Sequence, residues 1–506
     1  MTVSYRNNRI VPAVIIAICL LLTVWLIDPS VEDLGKSVAP KATDSHKAQT
    51  AYYYDQEEIQ DESTAEDYAS RQKQQEEQQR EQEQKLKQQQ EEDDSSVNQT
   101  SSSDMLPDDD DILLIVKTGG TTMWKRLLVH LATTLSAERI SPSSIAIYSD
   151  NAETIGSFTV IDSLANMSAA VHNSSDFDVY RQQPEYAANN YYVETAGMDG
   201  DEWGPVGGWI IDKYKFLPLM QHAGRNWPRA KWYVYMEDDT YLFLPAVRSY
   251  LAGFDWRERH YLGSYAAKSD AVFAHGGAGF ALSRGAWEAS FGKNPRMAED
   301  YHQYVVDHCC GDQVLGLALR DHGVRFGENG GDGKFTWGFN PLVHWTFVFS
   351  RSNWCHHLKS FHKVHSRDVA RYYEFEKSWD FSKPLLYRDF FNHMILPSIQ
   401  SDAEWWDNTA SQYEVASSTK ELSPAPEDGT KYDADLWADA WQSVEACKAA
   451  CDGWEDCMMW SFVEDLCKMD NRMIMGQGFA SSMSQRKTSL MHTSGWMPER
   501  LVNWEC

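Results

Sequence analysis

Stretches with a clear apolar period alternate along the chain with stretches almost free of apolar residues. Ile10–Ile27 holds eighteen residues without a charge, preceded by Arg6 and Arg9. At roughly 1.5 Å per residue such a helix reaches about 27 Å, enough to cross a thin bilayer. Basic residues before it and acidic chain after it predict residues 1–9 in the cytosol, 10–27 as a signal anchor and the remainder on the luminal side. Trp25 stands where an interfacial aromatic would, and no small-x-small cleavage pattern follows Ile27, so an uncleaved type II anchor is expected. Residues 28–110 read as a stalk. From Arg71 to Gln90 Leu86 is the only aliphatic residue, which gives no heptad and predicts a solvated, partly helical or disordered tether.

Periodic order begins at Ile112. "ILLIVKTGG" is a short apolar run of strand character, and "TTMWKRLLVHLATTL" follows with helical spacing that puts Met123, Leu127, Leu128, Leu131 and Leu135 on one face. "SIAIYSD" is a second strand, so the unit is βαβ and predicts a parallel α/β sheet. After a polar region to about Gly207, "WIIDKYKFLPLMQHA" reads as an amphipathic helix and "KWYVYMEDD" as the next strand. The expected body is a parallel α/β domain over 111–400. Residues 415–430 are Pro/Ser/charged, inside a linker expected over 401–430, and a small disulfide-rich α+β module over 431–506 completes the chain.

Charge and cysteine content sharpen this outline. The formal net charge of −28 argues against nucleic acid as a partner. Residues 55–94 hold fifteen Asp/Glu against five Lys/Arg, so the stalk carries a large share of that charge. Of nine cysteines Cys19 lies in the anchor and eight lie beyond it, an even number that suits disulfides in an oxidising lumen. Asn98, Asn166 and Asn173 head glycosylation sequons.

Four stretches carry candidate chemistry. Glu237-Asp238-Asp239-Thr240 puts three carboxylates at the carboxyl end of a strand, where open α/β sheets bind ligands. Hard cations such as Mn²⁺ or Mg²⁺ take carboxylate oxygens, and a solvated acidic turn is the plainer alternative. "FAHGGAGFALS" offers Gly276, Gly277 and Gly279, either a close backbone approach to a ligand or a tight turn between strands. In "CCGDQVLGLAL" Asp312 precedes an apolar helical stretch, as a helix cap or as a positioned base. "NWCHHLKSFHKVH" lacks a C-x₂-C partner for zinc, and one imidazole completing the carboxylate site is the economical reading. "KTGGTT" lacks the G-K-[ST] ending of a P-loop.

Taken in order, "IVKTGG", "IAIYSD", "GWIIDKYKFLPLM", "KWYVYMEDDTY", "HGGAGFALS", "CCGDQVLGLAL" and "SFHKV" resemble the inverting glycosyltransferases of family 31, the group of Fringe and the core 1 β1,3-galactosyltransferase. "TGG…YSDNAETIG" and "DKYKFLPLM" look most like its fungal branch. The resemblance spans about residues 112–380 and implies a GT-A fold, a Golgi (or ER) type II membrane enzyme, Mn²⁺ (or Mg²⁺), a UDP-sugar donor, often UDP-galactose, and a glycan or glycoprotein acceptor. It implies Asp239, Asp238 and His362 at the metal and Asp312 as catalytic base. Lys117, Thr118, Asp150, Asp238 and Gly277 are implied at the donor. Lys213 and Lys215 lie in a helix like the family's and read as surface lysines, with a diphosphate role as the alternative. A non-catalytic lectin or chaperone relative is the alternative. The C-terminal "C-x3-C-x5-C…C" resembles a PAN/Apple module, a fold that binds protein or carbohydrate. Pairs Cys447–Cys467 and Cys451–Cys457 are expected with it, and a further pair between Cys309 or Cys310 and Cys355.

Overall fold

The computed structural model describes residues 111–189, 208–269, 271–327, 338–399, 402–418, 425–426, 430–479 and 490–506. The expected anchor and stalk lie outside the described residues, and no helix among the described residues is long and apolar enough to cross a membrane.

The main sheet is built from β1 (Ile112–Lys117), β2 (Ile145–Ser149), β3 (Glu153–Ile155), β4 (Phe158–Asp162), β5 (Trp232–Glu237), β7 (Tyr261–Gly263) and β10 (Phe280–Ser283). Between them lie the short β6 (Tyr241–Leu242), β8 (Tyr265–Lys268) and β9 (Ala271–Ala274). Strand order is β3-β4-β2-β1-β5-β10-β7. β1 pairs in parallel with β2 and β5, β2 in parallel with β4, and β10 runs antiparallel to β5 and β7. Every residue of β1 and β2 is buried, the signature of central strands covered on both faces. Side chains alternate: Leu113 and Ile115 enter one core, while Ile112, Leu114 and Val116 enter the other. The first core is closed by α4 (Phe216–Asn226) and α6 (Gly311–Asp321), and the second by α1 (Met123–Ala132) and α5 (Leu244–Leu251). α2 (Asp178–Ala188) and α3 (Gly208–Asp212) flank the sheet's ligand end.

Two local expectations change. On α1 the inward face is Met123, Leu127 and His130, and Leu128 is exposed. The stretch read as one helix from Trp209 breaks into α3 and α4. Pro218 explains the break: its ring would strike the carbonyl of residue 214 in a continuous helix, but in the first turn of α4 it only loses an N–H that would be unpaired anyway.

Beyond the main sheet, β11 (Ser360–Phe361) pairs with β6 and carries the chain past the carboxylates. α7 (Ser366–Ser378) then packs through Val369, Tyr372 and Phe375 into an aromatic core with Phe243, Phe361 and Phe390. A second sheet holds β12 (Ala403–Glu404), β14 (Tyr413–Ala416), β15 (Met459–Val463), β16 (Leu466–Asp470) and β18 (Thr493–Trp496), in the order β12-β18-β15-β16-β14. β13 (Trp406–Asp407) pairs with β17 (Gln477–Gly478) beside it. Residues 403–416 were expected as linker but form strands, because Tyr413 and Val415 are buried while Glu414 between them is exposed. α8 (Val444–Gly453) covers this sheet through Cys447, Ala450 and Cys451.

The disulfides are Cys447–Cys467, Cys451–Cys457, Cys355–Cys506 and Cys309–Cys310. The first two agree with expectation. The expected link from Cys309 or Cys310 to Cys355 does not form: Cys355 joins the last residue of the chain, where Trp354 also packs edge-on to Trp504 at 5.1 Å.

Candidate functional site

Three parallel strand ends converge. Lys117 ends β1 in register with Glu237 of β5 and Tyr148 of β2, so the residues following each strand emerge side by side. The three carboxylates after β5 then part company, as successive strand-end residues do.

Asp238 turns back toward the segment after β1. Its Oδ2 accepts from Thr118 Oγ1 at 2.6 Å and Thr122 Oγ1 at 3.0 Å, and its Oδ1 lies 3.5 Å from Arg126 Nη1. Its carbonyl is held 3.0 Å from His130 Nε2, a ring whose burial pushes its pKa down to about 4. Asp239 shares Arg126 with Asp238 but also reaches His362. Its Oδ1 is 3.3 Å from His362 Nε2, and its Oδ2 is 3.2 Å from Arg126 Nη1. Burial works against its charge, but His362 and then Arg126 outweigh that and hold it well below the usual carboxylate range. Reciprocally, burial would lower the His362 pKa, and Asp239 overrides this and raises it. His362 Nδ1 faces the Pro341 carbonyl at 3.2 Å, which fixes the ring and leaves Nε2 toward Asp239.

Glu237, Asp239 and His362 each offer one ligand atom, all within 4.8 Å of one another. The set suits a divalent cation on two further grounds. Asp239 Oδ1 is buried and, among the described residues, accepts no well-directed hydrogen bond despite the nearby imidazole. An added Cβ on Gly277 would stand 2.2 Å from the His362 ring, so glycine is what lets that imidazole reach the carboxylates. Two carboxylates and one imidazole are hard-to-borderline donors of the kind Mn²⁺ accepts. Asp238, also expected at the metal, lies outside this group of three, with its Oδ2 on the Thr118 and Thr122 hydroxyls, and Glu237 lies within it.

The remaining expected residues gather around this cluster. Lys117 Nζ is paired with Asp212 and lies 3.1 Å from Glu237 Oε1; burial disfavours its charge, and these two carboxylates outweigh it and raise its pKa. Asp150 accepts from Gly120 N–H at 3.0 Å, pairs with Lys215 Nζ at 2.7 Å and binds the Gln183 amide. Lys213 stays peripheral, 3.0 Å from Asp176. Lys215, expected at the surface, is buried against Asp150, because the helix break turns it inward. Gly277 accepts at its carbonyl from Thr240 Oγ1 at 2.7 Å; its close approach is to His362.

Asp312 joins from α6. The N-cap there is Cys310, so Asp312 sits inside the first turn and is not the cap. Its Oδ1 accepts from Gln313 N–H at 2.9 Å and its Oδ2 from Gly276 N–H at 2.8 Å. Burial pushes its pKa up, with the Gly276 N–H and His275 partly offsetting. Gly276 bridges the two halves of the site, since a Cβ there would lie 3.1 Å from Glu237 Oε1. Asp212, Arg126, Thr122, Lys215, Gln183 and His275 were not singled out as site residues. Thr122 and His275 stand beside glycine turns, whereas Arg126 and Gln183 lie within helices and Asp212 and Lys215 at a helix break.

Residues 109–307 match the family model Fringe, described as Fringe-like. The matched segment is less than half of the chain. It includes β1, β2, β5 and the glycine turn but stops short of Asp312 and His362. No curated protein matches the chain.

Proposed function

We propose that this chain is an inverting, divalent-metal-dependent glycosyltransferase. It moves a hexose, galactose as the first choice, from a UDP-sugar to a glycan or glycoprotein hydroxyl in a β1,3-type linkage. The observation that carries the reading is the meeting of Asp239 and His362, from distant segments of the chain, at 3.3 Å beside Glu237. In this reading Glu237, Asp239 and His362 hold Mn²⁺, which when bound supplies Lewis-acid stabilisation of the departing diphosphate. Lys117, Thr118, Asp150 and Asp238 line the donor side, with Arg126 adding positive charge. Asp312 Oδ2, on the Gly276 side, takes the proton of the acceptor hydroxyl. The acceptor oxygen bonds to the anomeric carbon as the carbon–phosphate-oxygen bond breaks, and UDP leaves with the electron pair. Attack from the face opposite the leaving group turns an α-linked donor into a β-linked product. The raised pKa of Asp312 suits a base better than an ordinary carboxylate.

The residue 10–27 segment as a type II Golgi (or ER) anchor, the acidic stalk as a tether and the C-terminal sheet as a PAN/Apple-like recruitment module complete the proposal. A donor-hydrolysis screen across UDP-sugars, with and without Mn²⁺, tests it. Metal-dependent cleavage, greatest for UDP-galactose, is expected; no cleavage of any UDP-sugar with Mn²⁺ present would contradict it.

A further inference from the structure

Asp212 lies at the end of α3 and reaches across the sheet to a lysine 95 positions earlier in the chain. Lys117, only 4 % exposed, is shared between Asp212 Oδ2 and Glu237 Oε1. Glu237 is also a member of the cation cluster. An ammonium and a dication compete for the same carboxylate lone pairs, and a buried ammonium cannot turn away to water. Lys117 stands 3.1 Å from Glu237 Oε1, so a second carboxylate must take a share of its ammonium if Glu237 is to serve a cation.

Asp212 is placed to do this from a fixed seat. Its Oδ1 is 3.1 Å from Lys215 Nζ. Lys215 is itself pinned by Asp150 at 2.7 Å and by the Thr118 carbonyl at 3.0 Å. At the other end of α3, Gly208 is pressed against the loop after β1, where an added Cβ would stand 2.7 Å from Thr121 Oγ1. The result is a row of alternating charges, Asp150, Lys215, Asp212, Lys117 and Glu237, that ends on the cation cluster.

We propose that Asp212 is a positioning residue for the cation site, drawing the Lys117 ammonium away from Glu237 so that Glu237 can serve a divalent ion. The proposal rests on the metal-dependent reading above. If Asp212 loses its charge, Lys117 is left with Glu237 as its one anionic partner among these contacts and closes onto it. Outer-shell partners of this kind typically alter metal affinity by about 10–100-fold.

The test is Mn²⁺ binding to the full-length protein, followed by the electron paramagnetic resonance of free Mn²⁺, in a double-mutant cycle. Asp212→Asn is expected to bind Mn²⁺ about 10-fold or more weakly, and Asp212→Glu within a few-fold of wild type. The loss is expected to disappear when Lys117→Met is also present, so that K117M/D212N binds like K117M. An equal loss in both backgrounds would mean that Asp212 acts only through overall charge and would overturn the inference, as would unchanged binding in D212N. Should D212N alone not fold, the comparison of K117M/D212N with K117M decides: equal affinity supports the inference, and a weaker double variant overturns it. A wild-type protein that takes up no Mn²⁺ defeats the metal-dependent reading itself, an outcome distinct from loss of the Asp212 effect.

Discussion

At the carboxyl ends of β1, β2 and β5 the protein buries Lys117, Asp150, Lys215 and Asp238. Around α8 the same depth is filled by Cys447, Cys451, Trp454, Cys457, Trp460 and Cys467. The two regions reach order by opposite means. Buried charges are costly to desolvate, and each is tolerated only through a paired neighbour, so the sheet-end site gives up stability to hold a charged arrangement. The C-terminal sheet secures itself with two disulfides and packed indoles, including Trp437 and Trp454 at 5.8 Å. A region built for rigidity tolerates change of charge on its surface; a region of paired buried charges fails when one partner is removed.

Perturbing each region in turn sharpens that contrast. The largest effect is expected from Asp312→Asn, which keeps the shape and removes the proposed base: turnover should fall about 10²–10⁴-fold. UDP and Mn²⁺ binding should stay near wild type, as read by calorimetry. Loss of binding along with turnover would make Asp312 a structural residue. Next comes Gly277→Ala. Its Cβ would strike the His362 ring, and a displacement of about 1 Å at a reactive site costs up to about 10²-fold in rate. Wild-type kinetics in this variant would break the link between the glycine turn and the imidazole. Replacing both Cys447 and Cys467 by Ser should destabilise the C-terminal sheet by about 2–5 kcal/mol in denaturant unfolding, with donor hydrolysis retained under native conditions. Loss of hydrolysis in a folded double variant would show that the two regions do not divide their tasks in this way.

The smallest effect concerns pH. In the cation-free protein Asp239 holds His362 above its ordinary pKa despite burial, so the charged imidazole contributes stability below its unfolded value. That contribution is lost as pH rises through the raised folded value. A protonated His362 cannot bind a cation, so Mn²⁺ affinity should fall about tenfold per pH unit below the folded pKa and level off above it. A flat profile across that range would remove His362 from the ligand set.

The βαβ start, the strand ending in three carboxylates and the helix after Asp312 were legible because apolar period and strand ends are local signals. One imidazole from Asn353–His365 was expected to complete the carboxylate site, but its identity as His362 and its partner as Asp239 came from resemblance, since no spacing rule links segments so far apart. Their roles within the triplet were not legible: which of Glu237, Asp238 and Asp239 faces the imidazole depends on how β5 ends and on Thr118, Thr122 and Arg126 capturing Asp238. Asp212 and Lys215 were hidden for a related reason. Their inward turn follows from a break in what reads as one continuous amphipathic helix. Cys355–Cys506 joins partners separated by 151 positions, which cysteine spacing does not predict.

Asp239 and His362 are proposed to share one divalent ion. Electron spin echo spectroscopy of Mn²⁺ bound to the full-length protein tests it most directly, because a coordinated imidazole nitrogen modulates the echo. The account predicts such a ¹⁴N modulation in the wild type and its disappearance in His362→Ala. A bound Mn²⁺ with no nitrogen coupling, or one whose coupling survives in His362→Ala, would contradict it.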